Sequence, residues 1–153
     1  MSDGSPTFVE GQTVGIDLGT SYSALSRLGA DGNPEVINNS NDSPITASIV
    51  VLCANGKILV GPPSEVLSQQ DPNRVVIAIK REMGNPRFAL HYQERRMTPE
   101  LISSLILTKL KTEAEKKIGP IGNAVITVPY YFNEPKRAAT RYAGKIAGLN
   151  VVD

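Results

Sequence analysis

The spacing of hydrophobic and polar residues changes several times along the chain, and each change marks an element. Thr13-Val14-Gly15-Ile16-Asp17 sets Val14 and Ile16 on one side, the two-residue period of a strand with one buried face, and predicts a strand over residues 13–17. A second strand is expected over 22–28, with Ala24 and Leu28 apolar and Ser23 and Arg27 polar. Gly29-Ala30-Asp31-Gly32-Asn33-Pro34 is turn punctuation, and a third short strand follows over 35–38. Three strands so close in sequence predict an antiparallel meander. Residues 48–52 and 57–60 flank Ala54-Asn55-Gly56 and predict a hairpin, with Asn-Gly as its signal. A short helix over 64–70 stops before Asp71-Pro72. Val75-Val76-Ile77-Ala78-Ile79 is an apolar run that delivers a basic pair, Lys80-Arg81. Residues 83–96, with glycine, proline and many charges, read as irregular.

The period then lengthens. Ile102, Ile106, Leu110, Ala114 and Ile118 recur every four residues, and Leu101 and Leu105 widen the stripe, which predicts an amphipathic helix over 99–118. Thr98 suits its N-cap, Pro99 its first position, Glu100 its positive end, Lys116 and Lys117 its negative end, and Gly119-Pro120 its stop. A strand over 124–128 ends at Pro129. Asn133 caps a second helix over 134–147, whose apolar positions are Ala138, Ala139, Tyr142, Ala143, Ile146 and Ala147, and Gly148 stops it. A last strand is expected over 149–152. Strand, helix, strand at this spacing implies a right-handed parallel crossover. The order is that of a mixed α/β layer of ribonuclease-H-like type. A core strand at the very end, with no helix after it, reads as a piece of a longer protein.

Composition narrows the functional classes. The 153 residues carry 16 Lys and Arg against 15 Asp and Glu, a net charge of +1, so charge gives no case for a nucleic acid or an anionic membrane as the main partner. Aromatic residues are few and tryptophan is absent, which argues against a base-stacking platform. No apolar run approaches a membrane span. Residues 1–12 read as a flexible leader, and their start lacks the basic region and apolar core of a signal peptide. The single cysteine, Cys53, excludes an internal disulfide and reads as a small core residue. His91, the only histidine, has no cysteine or second histidine to share a metal and reads as a surface residue. A reducing, cytoplasmic setting fits this usage.

The chemistry gathers at Val14-Gly15-Ile16-Asp17-Leu18-Gly19-Thr20-Ser21-Tyr22. A strand that ends in a carboxylate, a glycine and hydroxyls fits two readings. In one, the turn cradles phosphate oxygens with the amides and hydroxyls of Thr20, Ser21 and Tyr22, Gly19 admits the ligand, and Asp17 holds Mg²⁺ directly or through water. In the other, it is a hairpin turn with no ligand. No Gly-x-x-x-x-Gly-Lys-[Ser/Thr] P-loop occurs. Taken alone, Lys80-Arg81 reads as the solvated end of an apolar strand. Pro129 reads as a strand terminator and Arg137 as an exposed helix charge.

Four stretches together carry a resemblance. Ile16-Asp17-Leu18-Gly19-Thr20-Ser21 resembles the first phosphate motif of the actin, sugar-kinase and heat-shock ATPase superfamily. Ala78-Ile79-Lys80-Arg81, Ala124-Val125-Ile126-Thr127-Val128-Pro129-Tyr130-Tyr131-Phe132-Asn133, and Arg137-x-x-Thr140-x-x-Ala143-Gly144-x-Ile146-Ala147-Gly148-Leu149 are similar to motifs of the heat-shock protein 70 (DnaK-type) chaperones, in the same order and spacing. The resemblance spans residues 13–153 and implies the first lobe of an actin-like ATPase. The core subdomain would be 13–47 plus 121–153, with an inserted outer subdomain over 48–120. It implies ATP or ADP and Mg²⁺ as ligands, and unfolded polypeptides and co-chaperones as partners. Asp17 would orient Mg²⁺ through its water shell. Gly19, Thr20, Ser21 and Tyr22 would hold the β- and γ-phosphates. Lys80 would be the catalytic lysine that positions the attacking water, and Pro129 and Arg137 would form an interdomain switch. The isolated piece should be inactive, because half the site lies elsewhere. The chain departs from the family pattern at Ser21, which replaces a threonine, and at Tyr130, which replaces a small residue. It departs again at Pro44-Ile45-Thr46-Ala47-Ser48, which stands for Arg-Thr-Thr-Pro-Ser, and in a shortened segment between Arg81 and Met97. A sugar kinase of the same superfamily and a non-hydrolysing actin-like or regulatory protein are the alternatives.

Overall fold

The computed structural model describes residues 7–153. In chain order the elements are β1 (Gln12–Asp17), β2 (Tyr22–Leu28), β3 (Pro34–Val36), β4 (Thr46–Ala47), β5 (Val50–Leu52), β6 (Ile58–Val60), α1 (Ser64–Leu67), β7 (Val75–Val76), β8 (Leu90–Tyr92), β9 (Arg95–Met97), α2 (Pro99–Ile118), β10 (Ile121–Thr127), α3 (Glu134–Ile146) and β11 (Asn150–Val151). Single 3-10 turns lie at Pro72–Arg74 and Ile79–Glu82. The architecture is a mixed sheet with helices, an α/β arrangement as expected.

The main sheet runs β11-β10-β1-β2-β3, and β4 adds to β2. β1, β2 and β3 form the antiparallel meander, and β10 and β11 are parallel, with α3 between them. Val14, Ile16, Leu25, Ala124 and Ile126 are all buried, and their register puts them on one face. Helix α2 covers that face with Ile102, Ile106, Leu107, Leu110 and Ala114, all buried. Its caps follow the sequence: the Leu101 amide donates to Thr98 Oγ1 at 3.2 Å, and Gly119 ends it with φ 81°. Glu113 on α2 accepts from Lys109 Nζ (2.6 Å), the Ser40 amide (3.1 Å) and the Ser40 hydroxyl (2.8 Å). Burial pushes this carboxyl up, but the bonds from Lys109 and Ser40 outweigh it and hold it below its ordinary value. The polar loop after β3 is thereby tied to the helix.

Helix α3 departs from the expected face. Tyr142 is 60% exposed and Ile146 42%. Ala139 and Ala143 are buried as expected, and Thr140 and Gly144 complete the packed face in place of the two larger side chains. Small residues let the helix backbone lie close to the sheet, so bulk is excluded from the face where the sequence pattern suggested it. A Cβ on Gly144 would come within 2.4 Å of Val151 Cγ2 and 3.0 Å of Ile126 Cδ1.

A second sheet, β6-β5-β7, and a separate β8-β9 hairpin fill the segment between β4 and α2. The hairpin stands where the sequence read as irregular. Its turn residues, Gln93 and Glu94, both take positive φ, 48° and 62°. That turn geometry normally selects Asn and Gly, so Gln-Glu gave no signal. The apolar run 75–79 yields only two strand residues, because Ala78 turns left-handed (φ 54°, ψ 29°) and starts the 3-10 turn that bears Lys80. Cys53 is half-buried, less enclosed than the core position expected, with Sγ 3.8 Å from Gln70 Oε1. His91 is exposed. Of the leader, residues 1–6 lie outside the described residues. Val9 is held at both main-chain groups: its amide donates to Asn123 Oδ1 at 2.9 Å and its carbonyl accepts from Asn123 Nδ2 at 2.8 Å. Asn150 Nδ2 donates to the Thr7 carbonyl.

Gly144→Val should lower stability by about 1–3 kcal/mol through overpacking, read from the urea midpoint. The loss should shrink in a Val151→Ala background, because the clash is mostly with that side chain.

Candidate functional site

β1 and β10 run parallel and in register to their last residues, so that Asp17 stands opposite Thr127. In sheets with parallel strands, ligands gather at the carboxyl ends of the strands. There the exposed Asp17 accepts from the Thr127 hydroxyl at 3.0 Å through Oδ1. One carboxylate oxygen is thereby oriented, and the other has no hydrogen-bond partner among the described residues.

The turn after Asp17 is anchored by the buried Leu18 and is too tight for any side chain at Gly19. A Cβ there would lie 1.9 Å from the Tyr22 carbonyl oxygen. The Gly19 amide donates inward, to Ser23 Oγ at 3.1 Å, so this group is spent inside the turn. The amides of Thr20 and Ser21 have no partner among the described residues. Ser23 Oγ lies 2.9 Å from Ser48 Oγ, and the Ser48 amide donates to the Ser21 carbonyl at 2.8 Å. An open cleft of about 440 Å³ adjoins the turn, lined by Thr20, Ser21, Tyr22, Ser48, Ala78 and Arg81 among others.

Lys80 approaches the same strand ends from the second sheet. The hydrogen-bonded pairing of Val50 with Val76 fixes β7 against β5, and the left-handed Ala78 turns the next residues inward. Lys80 is 9% exposed and forms no ion pair among the described residues. Burial pushes its ammonium below the ordinary 10.5, and the nearby Asp17 carboxylate opposes that in part. Its Nζ lies 5.9 Å from the centre of the Phe132 ring, and Lys136 Nζ is 5.3 Å from the same ring. Phe132 belongs to the loop between β10 and α3. Arg137 fastens that loop, donating from Nε to the Phe132 carbonyl at 3.0 Å and from Nη2 to the Tyr130 carbonyl at 3.4 Å. Pro129 opens the loop, and its carbonyl accepts from the Phe132 amide at 2.9 Å.

Asp17, the Gly19 turn, Lys80 and the Pro129–Arg137 region are therefore neighbours, although up to 120 residues separate them in sequence. Four residues escaped the sequence reading as site components. Thr127 could have been found by extending the parallel pairing of β1 and β10 to its end. Arg81 was noticed only as part of a basic pair, yet it faces the cleft while Lys80 turns inward. Ser23 and Ser48 gave no signal, since their pairing needs the turn and the β4–β5 link folded together.

The arrangement is that of an α/β protein with acid, hydroxyl and lysine chemistry at the ends of parallel strands. The chain matches the family model described as Hsp70 protein in two stretches, residues 13–88 and 84–153, and it belongs to that family. It is 44% identical over 140 residues to the chaperone protein DnaK of Thermotoga petrophila, 45% to that of Thermotoga neapolitana and 44% to that of Thermotoga maritima. In each case the match takes in 91% of this chain and 23% of the relative, so the chain spans about a quarter of their length.

Lys80 sets a pH-dependent term in stability. Its folded value lies below 10.5, so in that window the unfolded chain binds more protons and stability rises with pH. Below the window both states are protonated and the desolvation cost opposes folding in full. Lys80→Met removes that cost. At pH 7 it should stabilise the fold by on the order of 1 kcal/mol, about 3 °C in Tm. Its advantage over the wild type should narrow at alkaline pH in urea titrations.

Proposed function

We propose that this chain forms the first lobe of the ATPase domain of an Hsp70-type chaperone, on a ribonuclease-H-like, actin-like fold. The observation that carries the reading is the desolvated Lys80 ammonium, which forms no ion pair among the described residues, beside Asp17 and the Gly19 turn. A buried cation of this kind is stabilised by an arriving anion. The anion that suits a neighbouring turn of amides and hydroxyls is a phosphate. Thr20, Ser21 and Tyr22 would hold the β- and γ-phosphate oxygens, and Gly19 would keep the turn tight enough to present them.

The donor set fits Mg²⁺ carried by phosphates and water. No group of three or more His, Cys, Asp and Glu gathers among the described residues, so an all-protein cage is not built. Mg²⁺ retains water and takes one or two carboxylates plus phosphates, and Asp17 supplies the single carboxylate, acting through water. Bound there, Mg²⁺ would neutralise phosphate charge. Phosphoryl transfer is mainly positioning and electrostatic stabilisation. Lys80 serves both: an ammonium has three donors and no acceptor, so it would draw charge from the γ-phosphate and hold the attacking water by its oxygen. The exposed Arg81 would add charge at the cleft wall.

Residues 13–47 and 121–153 would make the core subdomain and residues 48–120 the outer one. The departure of the chain after β4 and its return through α2 support this division. Pro129 and Arg137 would act as the interdomain switch. The support is that Arg137 holds the loop whose Phe132 touches the Lys80 environment. ATP and ADP would be exchanged by the whole protein, which would bind and release unfolded polypeptides with co-chaperones in the cytoplasm. No described helix is long and apolar enough to cross a membrane.

The test is single-turnover ATP hydrolysis by the whole protein carrying this chain, wild type beside Lys80→Ala, with ATP binding measured in parallel. Hydrolysis should fall by about 10²–10³ while ATP affinity changes only a few-fold. Equal turnover in the two proteins would refute the role of Lys80.

A further inference from the structure

We infer that the hydroxyl pair Ser23–Ser48 is a positioning device that fixes the Gly19 turn against the segment carrying Lys80. The inference rests on the reading of the turn and Lys80 as a phosphate site. Ser23 is 1% exposed and Ser48 2%, and their oxygens are 2.9 Å apart. Each also holds the turn at a different point. Ser23 Oγ accepts from the Gly19 amide, and the Ser48 amide donates to the Ser21 carbonyl. The turn is thus clasped at its start and its middle, which leaves the Thr20 and Ser21 amides to a ligand.

Ser48 also stands where the chain passes from one sheet to the other. On its N-terminal side, β4 pairs with β2 through Ala47 opposite Tyr22 and Thr46 opposite Ser23. On its C-terminal side, Val50 pairs with Val76, two residues before the left-handed Ala78 and four before Lys80. The Ser23–Ser48 bond therefore closes a short path from the anion-binding amides to the ammonium. A buried hydroxyl pair costs free energy when one partner is removed, because the other is left unsatisfied. Such a pair holds one spacing and resists others. Ser48 borders the cleft, but both serines are almost fully buried and their hydroxyls face each other, so both are positioning residues.

The experiment is a titration of magnesium pyrophosphate into the chain, followed by NMR. Ser23→Ala, Ser48→Ala, the double variant and Lys80→Ala are compared at a temperature where all are folded. The ionisation of Lys80 is followed through its side-chain carbon shifts. If the pair positions the turn, each single serine variant weakens pyrophosphate binding about tenfold and shifts the Lys80 titration before any ligand is added. The double variant is then no weaker than either single one, as expected for residues that act as a unit. Ser48→Cys, which keeps a donor and acceptor but weakens the bond, gives an intermediate loss and serves where Ser48→Ala does not fold. A purely structural role would lower the urea midpoint and leave both readouts unmoved. Lys80-dependent pyrophosphate binding that is equal in wild type and serine variants overturns this inference alone. A wild-type chain whose pyrophosphate binding does not respond to Lys80→Ala overturns the phosphate reading and this inference with it.

Discussion

The parallel pairing of β1 with β10 decides where the carboxylate at the heart of the site emerges. From Thr13 opposite Asn123 to Asp17 opposite Thr127, the two strands keep step. The same pairing that puts Val14, Ile16, Ala124 and Ile126 under the helices brings a carboxylate and a hydroxyl out side by side. A slip of one residue would turn each side chain to the other face, burying Asp17 and exposing Ile16. Burial of the apolar face therefore enforces the register, and the register sets the acid. The site inherits its geometry from the core at no separate cost in specification.

The rest of the site is assembled against local preference. Ala78 occupies left-handed space, which costs a residue with a Cβ roughly 1–2 kcal/mol. Lys80 gives up much of its hydration without gaining an ion pair among the described residues. Glycine at 78 would relieve the first cost and methionine at 80 the second. Both costs fall within three residues, at the one place where the second sheet meets the strand ends of the first. Strain and desolvation concentrated together at a cleft are the pattern expected where binding, and not stability, sets the residue choice.

Most elements were legible because their signals are local. The i, i+4 stripe of α2, its Thr98 and Gly119 ends, and the Asn133 cap of α3 all follow from neighbours within a turn of helix. What escaped depends on partners distant in sequence. The β8–β9 hairpin closes on Gln93-Glu94 in spite of its turn residues, so only the folded context holds it. The packing face of α3 is chosen by the closeness of Val151 and Ile126 to Gly144, which favours small residues over the more apolar Tyr142 and Ile146. At the site, the motif residues Asp17 and Gly19 could be singled out from their own stretch. Thr127 could be reached only by extending the β1–β10 pairing to its end, and Ser23 and Ser48 not at all, because they touch each other across the turn and the β4–β5 link. The sequence also offered Gly19 among the groups for phosphate, whereas its amide is satisfied by Ser23; its contribution is the closeness of the turn.

Lys80 links these levels. Its charge faces Asp17 from the first sheet, its backbone is set by β5 and β7 of the second, and its ammonium lies 5.9 Å from the centre of the Phe132 ring in the loop before α3. That loop is fastened by Arg137, which spends Nε and Nη2 on the Phe132 and Tyr130 carbonyls. A helix residue one turn into α3 thus determines where the aromatic ring sits. The ring helps determine how far the ammonium is removed from water. The cost of a buried charge depends steeply on its solvation and on the charges that face it, and for Lys80 burial is the larger influence and Asp17 the opposing one. The lysine is accordingly the one group of the site that meets all three parts of the fold, the first sheet, the second sheet and the loop before α3.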